Sequence, residues 1–248
     1  MFVVVEFVVD LTPFAVLSLI ANAVSTYGAK ELIPLLGVLV LAWVLCAIQM
    51  FLIDGALIRF VGGLSPIRFF RGFWPAQVVA FTSQSSVGTI PVSVKQLVSR
   101  LGVNEDIASF VAALGANLGM PACAGIWPTL LAVLAINIFD IPYSIGQYAF
   151  LIVLTLIVSI GTVGVPGTST VTTTALFTAA GLPVEIIVLL VPISSVVDMM
   201  RTAANVTGEA TAAVLVAKSE QLLDREVYDQ KKSEDGLSGA AAVGESAR

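Results

Sequence analysis

The feature that most narrows what this chain can fold into is the spacing of its charges. Residues 11–29, 32–53, 72–94, 107–139 and 141–184 contain no Asp, Glu, Lys or Arg. An ionisable side chain at mid-bilayer costs roughly 2.5 to 3.5 kcal/mol on insertion scales, and a helix crosses the hydrocarbon core with about 20 residues. Charge-free intervals therefore act as a ruler for membrane spans. The first two match one helix each, with Gly28 and the Gly62-Gly63 pair as stops. Residues 107–139 form a 33-residue interval, which as one helix would reach about 50 Å. Against a core about 30 Å thick it must tilt, bend or break.

Break signals sit where the ruler demands them. Residues 114–125, Leu-Gly-Ala-Asn-Leu-Gly-Met-Pro-Ala-Cys-Ala-Gly, combine three glycines with a proline among small residues, predicting two half-helices joined by an unwound stretch. The 44-residue interval 141–184 carries Gly161-Thr-Val-Gly-Val-Pro-Gly-Thr-Ser-Thr170 at its middle, a loop with no charge to hold it in water. It reads as the tip of a re-entrant hairpin. Ser83-Gln-Ser-Ser-Val-Gly-Thr-Ile-Pro91 plays the same part in a helical segment that begins near Pro66. Irregular backbone at membrane depth is tolerated only when buried in protein or lining a cavity, so two tips and one broken helix imply an enclosed site.

Composition supports the bilayer reading: 57% of residues are hydrophobic, 12% are charged, and mean hydropathy is +0.97. The chain has no histidine, which excludes Ser-His and Cys-His nucleophile pairs and histidine zinc sites. No enzyme is expected. Cys46 and Cys123 lie far apart in apolar surroundings and form neither a disulfide framework nor a CxxC site. The net charge of −5 belongs partly to residues 219–248, which hold seven acidic against four basic residues. The twelve Lys and Arg form no basic stripe, so nucleic acid is not a partner.

Basic residues set the orientation. Arg59, Arg68 and Arg71 flank one connection, Lys95 and Arg100 the next, and Lys218, Arg225, Lys231 and Lys232 follow the last helix. All three groups are expected on the cytoplasmic side, with the C-terminus. Connections 139–147 and 181–185 carry only Asp140 and Glu185, and Lys30 is the one basic residue on the outer side. The first hairpin then enters from inside and the second from outside, as inverted repeats. Their tips share a short likeness, Val87-Gly-Thr-Ile-Pro91 beside Val163-Gly-Val-Pro166. The expected fold is an all-α membrane protein: two transmembrane helices, then inverted repeats of re-entrant helical hairpin plus transmembrane helix, one helix broken. The segments are 1–63 for two helices; 64–218 for a core of hairpin 66–101, broken helix 104–138, hairpin 142–182 and helix 183–218; and 219–248 for a disordered tail.

The last helix carries the chemistry. Asp198, Arg201, Thr202, Asn205 and Glu209 recur at offsets 0, 3, 4, 7 and 11, which share one helical face. Three ionisable groups on one face of an apolar helix must point into a bundle or a wet cavity. An Asp198–Arg201 ion pair that merely fixes packing is the plain alternative, but Asn205 and Glu209 add acceptors that such a pair does not need. Arg201 offers a planar fork for a carboxylate, Asp198 a counter-charge for an ammonium, and Asn205 with Glu209 hard oxygens for a small cation. N–H groups at the hairpin tips favour an anion, and unwound carbonyls in 114–125 a cation. Together they suit an amino acid with an additional carboxylate.

These residues resemble the dicarboxylate/amino acid:cation symporters, the family of glutamate and aspartate transporters, over roughly residues 10–220. The most specific parts are Ser85-Ser-Val-Gly-Thr-Ile-Pro91, Gly161-Thr-Val-Gly-Val-Pro-Gly167 and Asp198-Met-Met-Arg-Thr-Ala-Ala-Asn-Val-Thr-Gly-Glu209. The resemblance implies substrate contacts from Ser85, Ser86, Val165, Gly167, Asp198, Arg201, Thr202 and Asn205, and sodium contacts from Gly115, Met120, Asn205 and Glu209. It implies no cofactor beyond a coupling ion, sodium or a proton. The family's Asn-Met-Asp-Gly-Thr is replaced by Gly119-Met-Pro-Ala-Cys123, which removes two ligands of one sodium site and puts stoichiometry in doubt. Gly119-Met-Pro-Ala-Cys-Ala-Gly-Ile-Trp-Pro128 is instead similar to the bacterial cystine-importing branch.

Family members carry about four further N-terminal membrane segments that form a trimeric scaffold, so the chain is expected to be a truncated or split carrier, trimeric if that scaffold is present. A bacterial plasma membrane, lipid contact and an amino acid substrate follow from the resemblance. An anion channel lined by the same face, or a transport-incompetent fragment, are the rival expectations. Met199, Met200, Cys123, the Phe residues 69, 70 and 73, and Trp43, Trp74 and Trp127 read as packing or interface residues. Ser83–Ser86 are balanced between helix capping and ligand contact.

Overall fold

The computed structural model describes residues 29–229, with 163 and 166 left out. The interval 11–29 with its Gly28 stop therefore lies almost wholly outside the described residues, as do residues 230–248. Every regular element described is helical. Helix α1 (Ala29–Ala47) continues into wide π-helical turns at Ile48–Ile53 and Leu57–Val61, with Asp54–Ala56 α-helical between them. Gly62 ends it. Helices α2 (Pro66–Ser83) and α3 (Ser86–Leu101) form one close pair. Helix α4 (Glu105–Leu118), a π-helical turn (Pro121–Ile126) and α5 (Trp127–Ile138) follow, then the pair α6 (Ile145–Ser159) and α7 (Thr168–Ala180). The 35-residue α8 (Glu185–Ser219) and the single turn α9 (Arg225–Tyr228) complete the chain.

Local chemistry accounts for the boundaries. Pro66 opens α2 at a position where its missing N–H costs nothing. Ser85 caps α3 by accepting from the Gly88 amide, and Asn104 caps α4 by accepting from the Asp106 amide. Ser144 and Gln147 form a capping box at α6. The first tip is only Gln84, left-handed at φ 54, followed by extended Ser85. On α7 the hydroxyls of Thr172, Thr173, Thr174 and Thr178 each donate to the carbonyl four residues back. These four threonines thus carry their hydroxyls satisfied into an apolar setting.

Two stretches differ from the sequence expectation. Helix α4 runs on to Leu118, so only Gly119 and Met120 are non-helical between it and the π-turn, a shorter break than 114–125. Gly and Pro signal that a helix can break; they do not say how many turns survive beside them. The expected disorder from 219 onward is also corrected in part. Leu223 bridges Val103, the Asp224 amide donates to the Gly102 carbonyl, and the buried Tyr228 donates its hydroxyl to the Ser65 carbonyl. Asp229 pairs with Arg68. Residues 222–229 form a strap across the ends of α2, α3 and α8.

Two apolar clusters are strung along α8. Its first half, Ile186 to Val197, packs with Leu131, Leu151, Leu176 and Phe177 of α5, α6 and α7 and with Leu35 of α1. Its second half, Val206 to Ala217, packs with Phe69, Phe73, Leu97 and Leu101 of α2 and α3 and with Ala108 of α4. Small residues govern the approach: Ala108, Ala112 and Ala116 repeat every four residues on α4, fully or almost fully buried, and Ala210, Ala213 and Ala217, spaced three and four apart, line α8 in the same way. Among apolar helices such stripes let backbones come close, where van der Waals contact rather than water exclusion holds them. Asp198, Arg201, Thr202 and Asn205 lie on the stretch of α8 between the clusters, and Glu209 lies just inside the second.

Candidate functional site

The five predicted residues of α8 are all buried: Asp198, Arg201, Thr202, Asn205 and Glu209. Arg201 Nη2 lies 3.0 Å from Asp198 Oδ1 and donates to the Ser194 carbonyl at 3.3 Å. Its guanidinium sits 4.7 Å from the Trp127 ring centroid, a cation–π arrangement. The plain alternative, an Asp198–Arg201 ion pair, is therefore present. It leaves Arg201 Nε and Nη1 without partners, both buried. A guanidinium with two idle nitrogens, three N–H donors in all, in a desolvated place is matched to an anionic ligand, since unmade buried hydrogen bonds are costly.

The broken helix supplies the facing wall. Asn205 Oδ1 accepts from the amides of Ala122 at 2.9 Å and Cys123 at 3.3 Å, which ties the π-turn to α8. The Cys123 thiol donates to Asp198 Oδ1 at 3.5 Å. Met120 is buried beside Cys123 and Ala124. A cavity of about 360 Å³ opens next to this break, lined among others by Gly119, Met120, Pro121, Thr155 and Ser159. Lower on α8, a Cβ on Gly115 would come within 2.5 Å of Glu209 Cγ, so the glycine is what admits the carboxylate. Both Glu209 oxygens lack partners, as does Asn205 Nδ2. Asp198, Arg201 and Glu209 when ionised sum to one negative charge, and the pair within it leaves Glu209 uncompensated. A cation or a proton would balance it.

The two tips meet above this wall. The Val87 amide donates to the Gly164 carbonyl at 3.1 Å, and the buried Ser85 hydroxyl donates to the same carbonyl at 3.3 Å. Ser86, also buried, lies against Gly164, where a Cβ would come within 2.8 Å of Ser86 Cβ and 2.4 Å of the Ala116 carbonyl. Ser85 thus both caps α3 and joins the tips. Val165 is 42% exposed, and Gly167 at φ +86 is exposed with no atom within 4 Å of its would-be Cβ. The structure brings neither of these to the ionisable face.

Reasoning from sequence missed Trp127 as more than packing, the Cys123 thiol beside Asp198, and the Ser195 hydroxyl donating to Gln84 Oε1 at 3.1 Å. Position is the signal that was available for the first two: both follow the proline of the break, where side chains turn inward.

Apolar helices enclosing an ionisable face that lipid would not accommodate define an integral membrane protein of the all-helical class. Residues 1–219 match the model of the sodium:dicarboxylate symporter family, and the chain belongs to that family. It is 34% identical to the L-cystine uptake protein TcyP of Bacillus cereus over 233 residues, 94% of this chain and 50% of that protein. It is also 34% identical to the L-cystine uptake protein TcyP of Bacillus licheniformis over 229 residues, 92% of this chain and 49% of that protein. An uncharacterized symporter of Haemophilus influenzae is 35% identical over 212 residues, 85% of this chain and 48% of that protein. The chain spans about half the length of the curated relatives it matches.

Proposed function

We propose that this chain forms the substrate- and ion-binding half of a cation-coupled symporter, sodium being the coupling ion, for an amino acid with an additional carboxylate. Cystine is the first candidate, an acidic amino acid the second. The observation that carries the reading is the pair of unsatisfied charges on α8: two idle nitrogens on Arg201 and two idle oxygens on Glu209. Arg201 takes a substrate carboxylate and Asp198, released in part from the pair, takes its ammonium. Cystine bears two of each group, so the same pair serves it. Glu209, Asn205 and carbonyls near Gly115 and Met120 hold the cation. Thr202 and the serines of the first tip complete the substrate contacts, with Val165 and Gly167 moving in from the second tip. The tips are re-entrant from opposite sides, and alternating access moves the pairs, the broken helix and α8 as one block.

The family and the names of its L-cystine uptake members support this assignment. It is tested by binding of L-cystine, L-aspartate, L-glutamate and succinate to the purified chain in detergent, with and without sodium. Sodium-dependent binding of one amino acid is the expected result. Absence of binding by a chain with intact helix content would confine the transport role to a longer assembly.

A further inference from the structure

The helix from Leu35 to Val61 is 27 residues long, its most apolar 18-residue stretch has a mean hydropathy of 2.6, and it buries a carboxylate that the site above does not use. Asp54 is 2% exposed. It sits where two π-helical turns, Ile48–Ile53 and Leu57–Val61, meet the short α segment Asp54–Ala56. Wide turns of this kind concentrate at functional positions because they rotate a residue out of the regular helical register. Here they turn Asp54 inward, while Phe51, Leu52, Ile53 and Leu57 around it are exposed.

Among the described residues the carboxylate has one partner. Gln49 Nε2 donates to Oδ1 at 3.3 Å, and Oδ2, fully buried, has none. The neighbouring surface is apolar: a Cβ on Gly55 would touch the Phe70 ring at 3.6 Å and Pro66 at 4.0 Å. Charged groups on the elements packed against this helix are otherwise engaged or absent from it. Arg68 pairs with Asp229 and Arg201 with Asp198, Arg59 and Arg71 are exposed, and Lys218 Nζ lies near Gly63. Glu209 faces Gly115, and the Cys46 thiol is buried three residues before Gln49. Among the described residues, no ion pair is formed by Asp54.

A bare carboxylate in such a place is expensive, whereas its neutral acid is not. A metal cation would need several further oxygens, and among the described residues Gln49 is the only polar side chain bonded to Asp54. We infer that Asp54 is a proton-binding site within this first described span, separate from the Asp198–Glu209 face. With the proton on Oδ2, Oδ1 keeps its Gln49 bond and the helix stays packed on α2 and α8. Losing the proton to water requires the two wide turns to let the side chain out. The inference does not depend on which substrate α8 binds.

Infrared difference spectroscopy on the purified full chain in detergent at neutral pH tests it through the carboxylic acid C=O stretch. The expected band disappears in Asp54→Asn, survives in Glu209→Gln, and is unchanged by saturating sodium. Asn is nearly the shape of the neutral acid, so Asp54→Asn should keep the helix content and thermal midpoint of the parent. A spectrum in which Asp54→Asn removes no carboxylic acid band, or in which sodium discharges the very band that Asp54→Asn removes, would overturn the assignment. Should Asp54→Asn fail to fold, Gln49→Leu decides: losing the amide donor moves the band to higher frequency if the acid is Asp54, and leaves it in place otherwise.

Discussion

At the scale of residues, the site rests on charges that are only half spent and on glycines that allow close approach. Asp198→Asn leaves Arg201 buried without its counter-charge and removes the ammonium partner. A charge-assisted hydrogen bond contributes about 1.5 to 3 kcal/mol, so substrate affinity should fall by roughly tenfold to a hundredfold. Titration calorimetry on a chain of unchanged helix content reads this directly, and unchanged affinity would assign Asp198 to packing alone. Glu209→Ala should raise the sodium concentration needed for binding while leaving affinity at saturating sodium nearly intact. Sodium dependence that does not move would remove Glu209 from the cation site. Gly164 gives a prediction of another kind. A methyl there has no room beside Ser86 and the Ala116 carbonyl, and overpacking of this sort costs about 1 to 3 kcal/mol. Gly164→Ala should therefore hold the tips apart and speed labelling of a Ser86→Cys thiol by about tenfold, with the parent as control for buried Cys46 and Cys123. An unchanged labelling rate would mean that the tips do not close through this glycine.

At the scale of elements, the ionisable face of α8 was legible because the 3.6-residue period is stated by the sequence itself and α8 runs as an uninterrupted α-helix that keeps it. The break near Gly119 and the turn at Gln84-Ser85 were legible for a similar reason: Gly, Pro and Ser name places where a helix can stop. What they cannot give is the extent of irregular backbone, which tertiary bonds decide. Asn205 holds the amides of Ala122 and Cys123 and so restores a helical turn straight after the break. Asp54 served in the sequence only to end an interval, since its burial depends on the π-turns around it. The strap at 222–229 was hidden altogether, because its charges look like those of a solvated tail while its bonds run to Gly102, Val103 and Ser65. Gly102 at φ +67 lies so close to Asp224 that a Cβ would come within 2.3 Å of its carbonyl. Gly102→Ala should detach the strap, seen as faster proteolysis after Arg225; equal cleavage rates would show that the strap is not held at this point. The Tyr228 phenol is held above its ordinary range by burial first and by Asp229 second, with Arg68 opposing. A raised phenol pKa leaves docking intact below the unfolded value near 10 and weakens it as pH rises beyond that. The same cleavage assay across that range should turn upward in the parent and be flat in Tyr228→Phe, which itself loses about 1 kcal/mol with the hydroxyl bond.

At the scale of the whole molecule, the bonds collect the connections into two ends. Tyr228 reaches Ser65, Arg68 pairs with Asp229, Asp224 bonds Gly102, and Lys218 lies by Gly63, so the start of α2, the junction of α3 with α4 and the end of α8 share one end. Ile141, Tyr143, Leu182 and Ile186 share the other cluster, with the connections before α6 and α8. Arg59, Arg68, Arg71, Lys95, Arg100, Lys218 and Arg225 thereby belong to the first end, whereas the described connections of the second carry Asp140 and Glu185. Basic residues are retained on the cytoplasmic side during insertion, so the first end should be cytoplasmic. The pairs α2–α3 and α6–α7 start from opposite ends and touch through Val87 and Gly164, which makes one orientation decide both. A C-terminal green fluorescent protein fusion should then fluoresce in intact cells, and a C-terminal alkaline phosphatase fusion should be inactive. The reverse pattern would put the strap and the first tip's base outside, and the basic residues would then need an explanation other than insertion. Because the strap joins this end to α8, the same fusion in Gly102→Ala should keep its fluorescence: the strap's contacts form after the spans are placed and do not choose their direction.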